Sequence, residues 1–375
     1  MIIKKSIVSI LTLLIIASCN ATKVKQEIGL KDALKGDFLI GVAMNNKQIL
    51  QNDKVGTDLI IKHFNSIVAD NCMKSEVIQP AEGKFDFTLS DQFVKFGEQH
   101  KMNIIGHTLI WHSQAPDWFF KDNNGNPVSR DVLIERMKSH ITTTVKHYKG
   151  RVHGWDVVNE AINDNGTWRE SPFYKIIGKD YIKMAFKFAH EADPNAQLYY
   201  NDYNMEEAGR RATVVQLVKD LQQDGIRIDA VGMQSHFTMD YPTYEAFEKS
   251  IEAFAALGVK VMLTELDLTV LPFPKNEITA DIATTYKYDP VMNPYINGIP
   301  DSAYLAFNNR LKTFLDICFK HKNHISRITV WGLSDKDSWK NDFPVKGRTD
   351  YPLLFDRNYQ PKHIVNELIK KADKK

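Results

Sequence analysis

The sequence predicts an α/β fold, a single (β/α)8 TIM barrel, and three observations lead to it. Apolar, strand-like segments alternate with amphipathic, helix-like segments from Leu30 onward, which is the pattern of β/α units. Eight strand candidates can be counted, enough to close a ring of parallel strands. The length of 375 residues accommodates one such barrel with long loops. Residues 30–375 are therefore predicted to form one barrel domain.

The predicted strands are short apolar runs bounded by polar or turn-forming residues. In chain order they are Phe38–Met44, Ser66–Asp70, Asn103–Trp111, Gly154–Glu160, Ala196–Asn201, Ala230–His236, Lys260–Asp267 and Ser326–Leu333. A closed barrel is favoured over an open doubly wound sheet, because no glycine-rich nucleotide turn follows the first strand. The C-terminal ends of all the strands would then meet at one cleft.

Sequence signals of a helix are clearest in three of the connecting segments. Tyr181–Ala192 repeats apolar residues at i, i+3, i+4 and i+7, and a proline soon follows it. Tyr244–Leu257 carries a similar stripe and precedes Gly258, the residue type that commonly ends helices. Ser129 begins a third helix that reaches about Tyr148, and its hydroxyl is predicted to cap the first turn.

The N-terminus is predicted to be an export signal rather than part of the barrel. Two lysines within Met1–Lys5 precede the apolar stretch Ser6–Ile16, which is too short to span a membrane. Cys19 then follows small residues, as at a bacterial lipoprotein signal; a free thiol placed by chance is the alternative. Residues 1–19 are interpreted as a lipoprotein signal peptide with lipidated Cys19, and residues 20–29 as a short tether. The expected location is membrane-anchored, on the periplasmic face or the cell surface.

Composition bears on possible binding partners and on disulfide bonds. The net charge of +2 gives no electrostatic basis for binding nucleic acid. With Cys19 assigned to a lipid, Cys72 and Cys318 remain on a predicted strand end and a predicted helix, so no disulfide is expected. Aromatic residues make up 11% of the chain, which suits a sugar-binding cleft, although most of these rings are expected in the core.

Two predicted strands each deliver a glutamate at their C-terminal end. These residues are Glu160 and Glu265, and each follows a run of apolar residues. Hydrolysis of a glycosidic bond requires two carboxyl groups. One is protonated and donates its proton to the leaving oxygen, and the other is ionised and faces the anomeric carbon. Taken singly, a strand-end glutamate is more often a surface acid or an ion-pair partner. Two of them, with polar and aromatic residues on the other strand ends, favour a glycosidase.

Two strand ends supply histidine and tryptophan residues. His107 and Trp111 end the third strand, where hydrogen bonds to sugar hydroxyls are favoured over a metal site, since no His-x-x-x-His helix is present. Trp331 and Trp339 flank the loop after the eighth strand, and indole faces stack on flat apolar ligand surfaces. A buried core position is the alternative for each tryptophan.

Together these segments resemble glycoside hydrolase family 10, the retaining endo-β-1,4-xylanases. The resemblance extends from about Leu30 to about Leu368 and rests on motifs in family order: Gly106–His112, Asp156–Glu160, Trp168–Pro172, Asn201–Asn204, Gly232–His236, Thr264–Asp267 and Trp331–Trp339. It implies endo-acting hydrolysis of xylan by a monomer, through double displacement, with no cofactor and no metal. Glu265 would be the nucleophile and Glu160 the general acid/base.

The resemblance also implies a set of substrate-binding residues. They are Asn71, Lys74, His107, Trp111, Asn159, Tyr203, Gln234, His236, Trp331 and Trp339. The first four would bind sugars on the non-reducing side, and the two last tryptophans would close over them. Asn159 and Gln234 would contact the reacting sugar. His236 would support Glu265, and Tyr203 would lie near the catalytic centre.

Other interpretations stay open on the sequence alone. A barrel β-glucanase and a non-catalytic, glycan-binding surface lipoprotein are the two alternative functions. Asp70 stands where the family usually has a longer glutamate, which puts one distal sugar contact in question. The long segment Pro272–Pro300 follows the seventh strand, so it is expected to shape the cleft rim, with a passive insertion as the alternative.

Overall fold

A closed ring of parallel strands forms the centre of the computed structural model, which describes residues 28–273 and 280–372. In this part of the chain the strands are β1 Leu39–Met44, β2 Ser66–Ala69, β3 Asn103–Trp111, β4 Gly154–Asn159, β5 Gln197–Asp202, β6 Ala230–Met233, β7 His236–Thr238, β8 Lys260–Thr269 and β9 Ile325–Val330. They pair in the order β6-β5-β4-β3-β2-β1-β9-β8, and a further pairing of β6 with β8 closes the ring. The predicted (β/α)8 barrel is confirmed.

Helices surround this ring. In the described residues they are α1 Leu30–Ala33, α2 Asn46–Ile49, α3 Lys54–His63, α4 Ser75–Ile78, α5 Thr88–Gln99, α6 Arg130–His147, α7 Pro172–Ile177, α8 Asp180–Ala192, α9 Ala208–Gln223, α10 Tyr244–Ala255, α11 Asp301–Lys320 and α12 His363–Ala372. The helices predicted from periodicity are α8 and α10, and the helix predicted to follow Ser129 is α6. The Ser129 hydroxyl accepts a hydrogen bond from the N–H of Val132 at 3.4 Å, which confirms the predicted cap.

The predicted sixth strand is the one that the structure interrupts. β6 ends at Met233 and β7 begins at His236, because Ser235 adopts a φ of +66° and turns the chain. β7 then pairs with the last residues of β8, from Asp267 to Thr269. This extra pairing explains why β8 extends two residues beyond the predicted strand.

The interior of the ring is a packed core. One residue from each of six strands forms a cluster inside it: Ala43, Val68, Ile105, Tyr199, Ala230 and Met262. A larger apolar cluster joins the outer faces of the strands to the helices. Strands covered on both faces read as continuous apolar runs, which is why their positions could be predicted. A filled interior leaves the strand ends as the place for a site.

The described chain begins at the N-terminal ends of the strands. There α1 packs against α12, and Lys31 Nζ donates a hydrogen bond to the carbonyl oxygen of Ile61, near the end of α3, at 2.6 Å. The predicted signal peptide, Cys19 and most of the predicted tether lie outside the described residues. Cys72 and Cys318 are both buried and have free thiols. Among the described helices, none is long and apolar enough to cross a membrane.

Candidate active site

A cavity of about 210 Å³ opens at the C-terminal ends of the strands. It is lined by these predicted site residues: Asn71, Lys74, His107, Trp111, Asn159, Glu160, Gln234, His236, Glu265, Trp331 and Trp339. Asp70, Ala280 and Ile282 complete its wall. Because Ala280 and Ile282 come from the Pro272–Pro300 segment, the expectation that this segment shapes the cleft is confirmed.

Glu160 follows β4 directly, and its carboxyl group is held at both oxygens. Trp111 Nε1 donates to Oε2 at 2.8 Å, and Gln234 Nε2 donates to Oε1 at 2.9 Å. The backbone of Glu160 has a φ of +57°, a left-handed conformation that residues other than glycine rarely adopt. It is held by two further bonds, from the Glu160 N–H to the Asn201 carbonyl at 2.9 Å and from Arg169 Nε to the Glu160 carbonyl at 3.0 Å. The carboxyl therefore has a fixed position and direction.

The surroundings of Glu160 favour its protonated form. Burial raises the pKa of Glu160 to about 7, and the charge of the nearby Asp202 acts in the same direction. The hydrogen bonds from Gln234 and Trp111 lower this pKa without offsetting the burial. A carboxyl that keeps its proton in mildly acidic solution is suited to act as a general acid.

Glu265 lies in β8 and has the opposite electrostatic environment. Its Oε1 accepts a hydrogen bond from Asn201 Nδ2 at 2.9 Å, and its Oε2 lies 3.3 Å from His236 Nε2. Burial alone would raise the pKa of Glu265, but the bond from His236, the electrostatic influence of His107 and His236 and the bond from Asn201 together lower it. Glu265 is therefore ionised at a pH where Glu160 is still protonated.

His236 is fixed in place by a second carboxylate. Its Nδ1 lies 3.0 Å from Asp267 Oδ2, which also accepts a hydrogen bond from Trp339 Nε1 at 2.8 Å. Burial lowers the pKa of His236, but Asp267 and Glu265 more than reverse this, so the pKa is raised. His236 Nε2 thus lies beside Glu265, in a position to support that carboxylate. Asp267 was missed as a site residue, although its spacing of two from Glu265 on one strand is a usable signal.

Two amide side chains connect the two carboxyl groups. Asn201 Nδ2, besides its bond to Glu265, donates to Asn159 Oδ1 at 3.0 Å, and Asn159 Nδ2 lies 3.2 Å from Glu160 Oε1. Thr264 Oγ1 donates to Asn201 Oδ1 at 2.6 Å, which fixes the orientation of that amide. The two glutamates thus belong to one hydrogen-bonded network with a set separation.

One wall of the cavity is rich in polar groups. Lys74 Nζ donates to Asn71 Oδ1 at 3.1 Å and to Gln114 Oε1 at 2.7 Å, and it lies 5.0 Å from the Trp111 ring centroid. Burial raises the pKa of the neighbouring Asp70 to about 6. Its Oδ1 is buried and has no hydrogen-bond partner in the described structure. This wall therefore offers a lysine cation and a carboxyl oxygen to ligand hydroxyl groups.

The two tryptophans form a second wall. The His107 ring meets Trp331 edge-on with 5.4 Å between centroids. Trp339 stacks on Phe343 with 4.4 Å between centroids, and Lys340 lies over its ring at 4.4 Å. Both indoles remain partly exposed, which rules out the alternative of fully buried core positions. Indole rings on a cavity wall suit contact with a pyranose ring.

Comparison with known proteins assigns this arrangement to a family. The profile of glycosyl hydrolase family 10 matches residues 29–371. The chain belongs to glycosyl hydrolase family 10. It is 54% identical over 341 residues to endo-1,4-β-xylanase A of Xylanibacter ruminicola, a match that covers 91% of this chain and 92% of that protein.

Solved structures agree with the family 10 assignment. A family 10 endoxylanase retrieved from a sugarcane soil metagenome aligns with a TM-score of 0.89 and 44% identity, covering 91% of this chain and 99% of that one. A mutant of the intracellular xylanase of Thermoanaerobacterium saccharolyticum, solved with xylotriose, aligns with a TM-score of 0.79 and 36% identity, covering 92% and 99%. The barrel and its cleft are thus those of glycoside hydrolases.

Tyr203 is the predicted site residue that the structure does not place on the cavity wall. Its hydroxyl accepts a hydrogen bond from Arg169 Nη2 at 2.8 Å, and Arg210 lies 4.1 Å from its ring centroid. Because Arg169 also binds the Glu160 carbonyl, Tyr203 lies behind the acid and supports it indirectly. Arg169 was missed as a site residue, although it lies within one of the motifs that resemble this family.

A group of possible metal ligands lies away from the cleft. Within the described residues, Glu248 and Glu252 of α10 and His321 after α11 have ligand atoms within 4.8 Å of one another. Lys320 Nζ already lies 2.7 Å from Glu248 Oε1 and compensates its charge. Glu252 lies in the last turn of α10 and His321 directly follows α11, so the group lies toward the helix ends that lead into β8 and β9, away from the strand ends that carry Glu160 and Glu265.

The opposite pKa shifts of the two glutamates predict a pH dependence for this family 10 chain. Turnover needs Glu265 ionised and Glu160 protonated, so kcat/KM should peak on the acid side of neutrality. Because the pKa of Glu160 is raised to about 7, kcat/KM should fall above that pH, by about tenfold per unit.

Initial rates on xylotriose across about pH 4 to 9 measure this profile. In a Gln234→Ala variant the alkaline limb should move to higher pH, because that hydrogen bond lowers the Glu160 pKa. A limb that stays in place or moves to lower pH would contradict the assignment of the limb to Glu160.

Proposed function

We propose that this chain is an endo-1,4-β-xylanase that hydrolyses internal xylosidic bonds of xylan with retention of configuration. The observation that carries the proposal is the pair of buried glutamates with opposite pKa shifts, joined through Asn159 and Asn201 at the mouth of a family 10 barrel. The names of its relatives support the substrate, since they are endo-1,4-β-xylanases. The xylotriose complex of a structural neighbour supports binding of xylo-oligosaccharides.

The site supports a double displacement. Glu265, ionised and oriented by His236 and Asn201, attacks the anomeric carbon, while Glu160 donates its proton to the leaving glycosidic oxygen. A covalent xylosyl–enzyme intermediate forms and the leaving chain departs. Glu160, now ionised, takes a proton from the water that attacks the same carbon. The sugar is released with its original configuration, and both carboxyl groups return to their starting states.

Hydrolysis of xylan compared with carboxymethyl-cellulose tests this function. The purified protein without residues 1–19 should release a series of xylo-oligosaccharides from xylan, and NMR should detect the β-anomer as the first product. A higher rate on carboxymethyl-cellulose would support the β-glucanase instead. Binding of xylan without release of reducing sugars would support the non-catalytic lipoprotein. Neither alternative is favoured by an observation on the site.

We also propose that the enzyme is exported and anchored by a lipid on Cys19. The support is the sequence of residues 1–19, with its two lysines, its short apolar stretch and its cysteine after small residues. Stable anchoring takes two or more acyl chains, so the full chain should partition with membranes and a Cys19→Ser variant should not. Mass spectrometry of the N-terminal peptide should find the acyl groups. An unmodified Cys19 in the membrane fraction would contradict the anchor.

The enzyme is proposed to act as a monomer. One chain supplies both glutamates and every residue that lines the described cavity. Sedimentation of the protein without residues 1–19 should therefore give the mass of a single chain, and a concentration-independent dimer mass would contradict the proposal.

A further inference from the structure

The described chain enters the barrel among helices whose ends are rich in lysine. α1 packs against α3 and α12, and α12 packs against α11. Six lysines lie at the ends of these helices or in the turns that follow them, and they are here called the α1 patch: Lys31, Lys35, Lys62, Lys322, Lys370 and Lys371. The described acidic residues of the same turns are fewer, namely Asp32, Asp37 and Glu367. Positive charge is therefore in excess around α1.

A hollow of about 250 Å³ lies within the α1 patch. Its wall combines apolar and charged residues, which are Ala33, Leu34, Asp37, Phe319, Lys322, Leu368 and Lys371. Lys371 Nζ lies 4.6 Å from the Phe319 ring centroid, and Lys322 Nζ lies 2.7 Å from Asp37 Oδ1. The Lys322 side chain is 45% exposed and that of Asp37 only 5%, so solvent reaches the cation more than the acid. One concave surface thus presents two ammonium groups.

The helix dipole does not fully explain this concentration of lysine. Positive charge at a helix C-terminus is favourable in any helix of the barrel. The neighbouring helices α11, α12, α1 and α3 each have a lysine in the last turn. By contrast, α9 and α10 have no basic residue there, and the exposed Asp224 directly follows α9. The lysines around α1 therefore call for a local explanation.

The lipid anchor proposed above determines which surface the α1 patch would meet. Ten residues, 20–29, connect Cys19 to α1, and a chain of that length spans at most about 35 Å. The patch is thus kept close to the bilayer, and a short tether gives it an effective concentration in the millimolar range. Anionic lipids give a bilayer a negative surface potential, which strengthens binding roughly fivefold for each lysine near the surface. Charge and position therefore both favour a lipid surface.

We propose that the α1 patch binds the anionic phospholipid headgroups of a bilayer. The choice of a bilayer as the partner rests on the proposed lipidation of Cys19. The lysines pair with headgroup phosphates, and the hollow lined by Lys322 and Lys371 admits one such group between the helices. A basic surface is one of the second signals that make a lipid anchor stable. The α1 patch supplies that signal from the folded barrel itself.

Vesicle binding by the chain without residues 1–19 tests the α1 patch in the absence of the lipid. This chain contains every residue of the described barrel. At low ionic strength it should co-sediment with vesicles of phosphatidylcholine that contain about one-third phosphatidylglycerol. It should not co-sediment with vesicles of phosphatidylcholine alone. Salt at about 0.5 M should release it from the anionic vesicles, because the attraction between exposed charges is then screened.

A double variant, Lys35→Gln with Lys370→Gln, tests whether the α1 patch is the source of this binding. Both side chains are exposed, and neither makes a hydrogen bond or ion pair within the described residues, so thermal unfolding and hydrolysis of xylotriose should not change. Affinity for the anionic vesicles should fall about 25-fold, at roughly fivefold for each lysine.

Lys187→Gln with Lys219→Gln is the matched control. These exposed lysines belong to α8 and α9, and α8 precedes β5, which lies four places from β1 in either direction around the ring. The control makes the same change in net charge on another side of the barrel. Its affinity for the anionic vesicles should therefore stay close to that of the unmodified chain.

Three results would overturn headgroup binding by the α1 patch. They are equal binding to neutral and anionic vesicles, equal losses in the two double variants, and a loss in Lys35→Gln with Lys370→Gln that is confined to xylan bearing glucuronate. The last result would assign the patch to an acidic polysaccharide instead. The lipid anchor is tested separately, by mass spectrometry of Cys19. An unmodified Cys19 would refute the anchor, whereas the vesicle result would still decide the role of the patch.

Discussion

Replacing Glu265 by glutamine should remove nearly all hydrolysis of xylan while the barrel stays folded. The amide is not a nucleophile, so the covalent intermediate cannot form, and a loss on the order of 10⁴-fold or more in kcat is expected. Glutamine has the shape of the glutamate, and its amide oxygen can accept the hydrogen bond that Asn201 donates to Glu265. Thermal unfolding and initial rates on xylan measure the two parts of this prediction.

A Glu135→Gln variant is the matched control for Glu265→Gln. Glu135 is an exposed residue of α6, and the same change there should leave kcat unaltered. Activated aryl xylosides should not restore turnover in Glu265→Gln, because a better leaving group does not supply a nucleophile. If Glu265→Gln kept a substantial rate on any substrate, Glu265 would not be the nucleophile.

Replacing Glu160 by alanine should slow different substrates by very different factors. Xylan has a poor leaving group that needs a proton, so a loss of about 10³-fold is expected, within the range for removal of a general acid. An aryl xyloside with an acidic phenol needs no proton to leave, and its first step should be nearly unaffected. The intermediate should then accumulate, since no base activates water. A burst of phenol followed by a slow steady rate is the expected signature.

Azide distinguishes the loss of a catalytic group from a general defect of the Glu160→Ala variant. An anion needs no base, so azide should restore turnover of the aryl substrate and yield a xylosyl azide of retained configuration. The variant also leaves Trp111 Nε1 without its acceptor, and Gln234 Nε2 keeps only its bond to Asn159 Oδ1, which together should cost about 1–3 kcal/mol of stability. Equal losses on xylan and on the aryl substrate, without azide rescue, would reject the acid/base role.

The barrel and the floor of its cleft could be predicted because their signals are local in the sequence. Strands covered on both faces are continuous apolar runs, and the residue after such a run lies at the mouth of a parallel barrel. Glu160 and Glu265 are found in this way, as are His107 and Trp111. The break at Ser235 could not be found, because it depends on the pairing of β7 with β8, which only the closed ring creates.

Features that depend on side-chain direction or on contacts between distant loops leave no local signal in the sequence. Tyr203 follows a strand end, but Arg169 and Arg210 hold its ring behind the acid rather than in the cavity. The Arg169–Asp281 pair joins positions 112 residues apart with no motif on the Asp281 side. The sequence therefore predicted that the Pro272–Pro300 segment borders the cleft, but not the ion pair that joins this segment to Arg169.

The position of α1 has a consequence for how an anchored enzyme would meet its polymer. Because α1 sits where the strands begin, the chain enters the barrel at the pole farthest from Glu160 and Glu265. A lipid attached upstream would consequently hold that pole toward the bilayer and turn the open mouth outward. Xylan outside the cell could then reach the cleft from the side that faces away from the membrane.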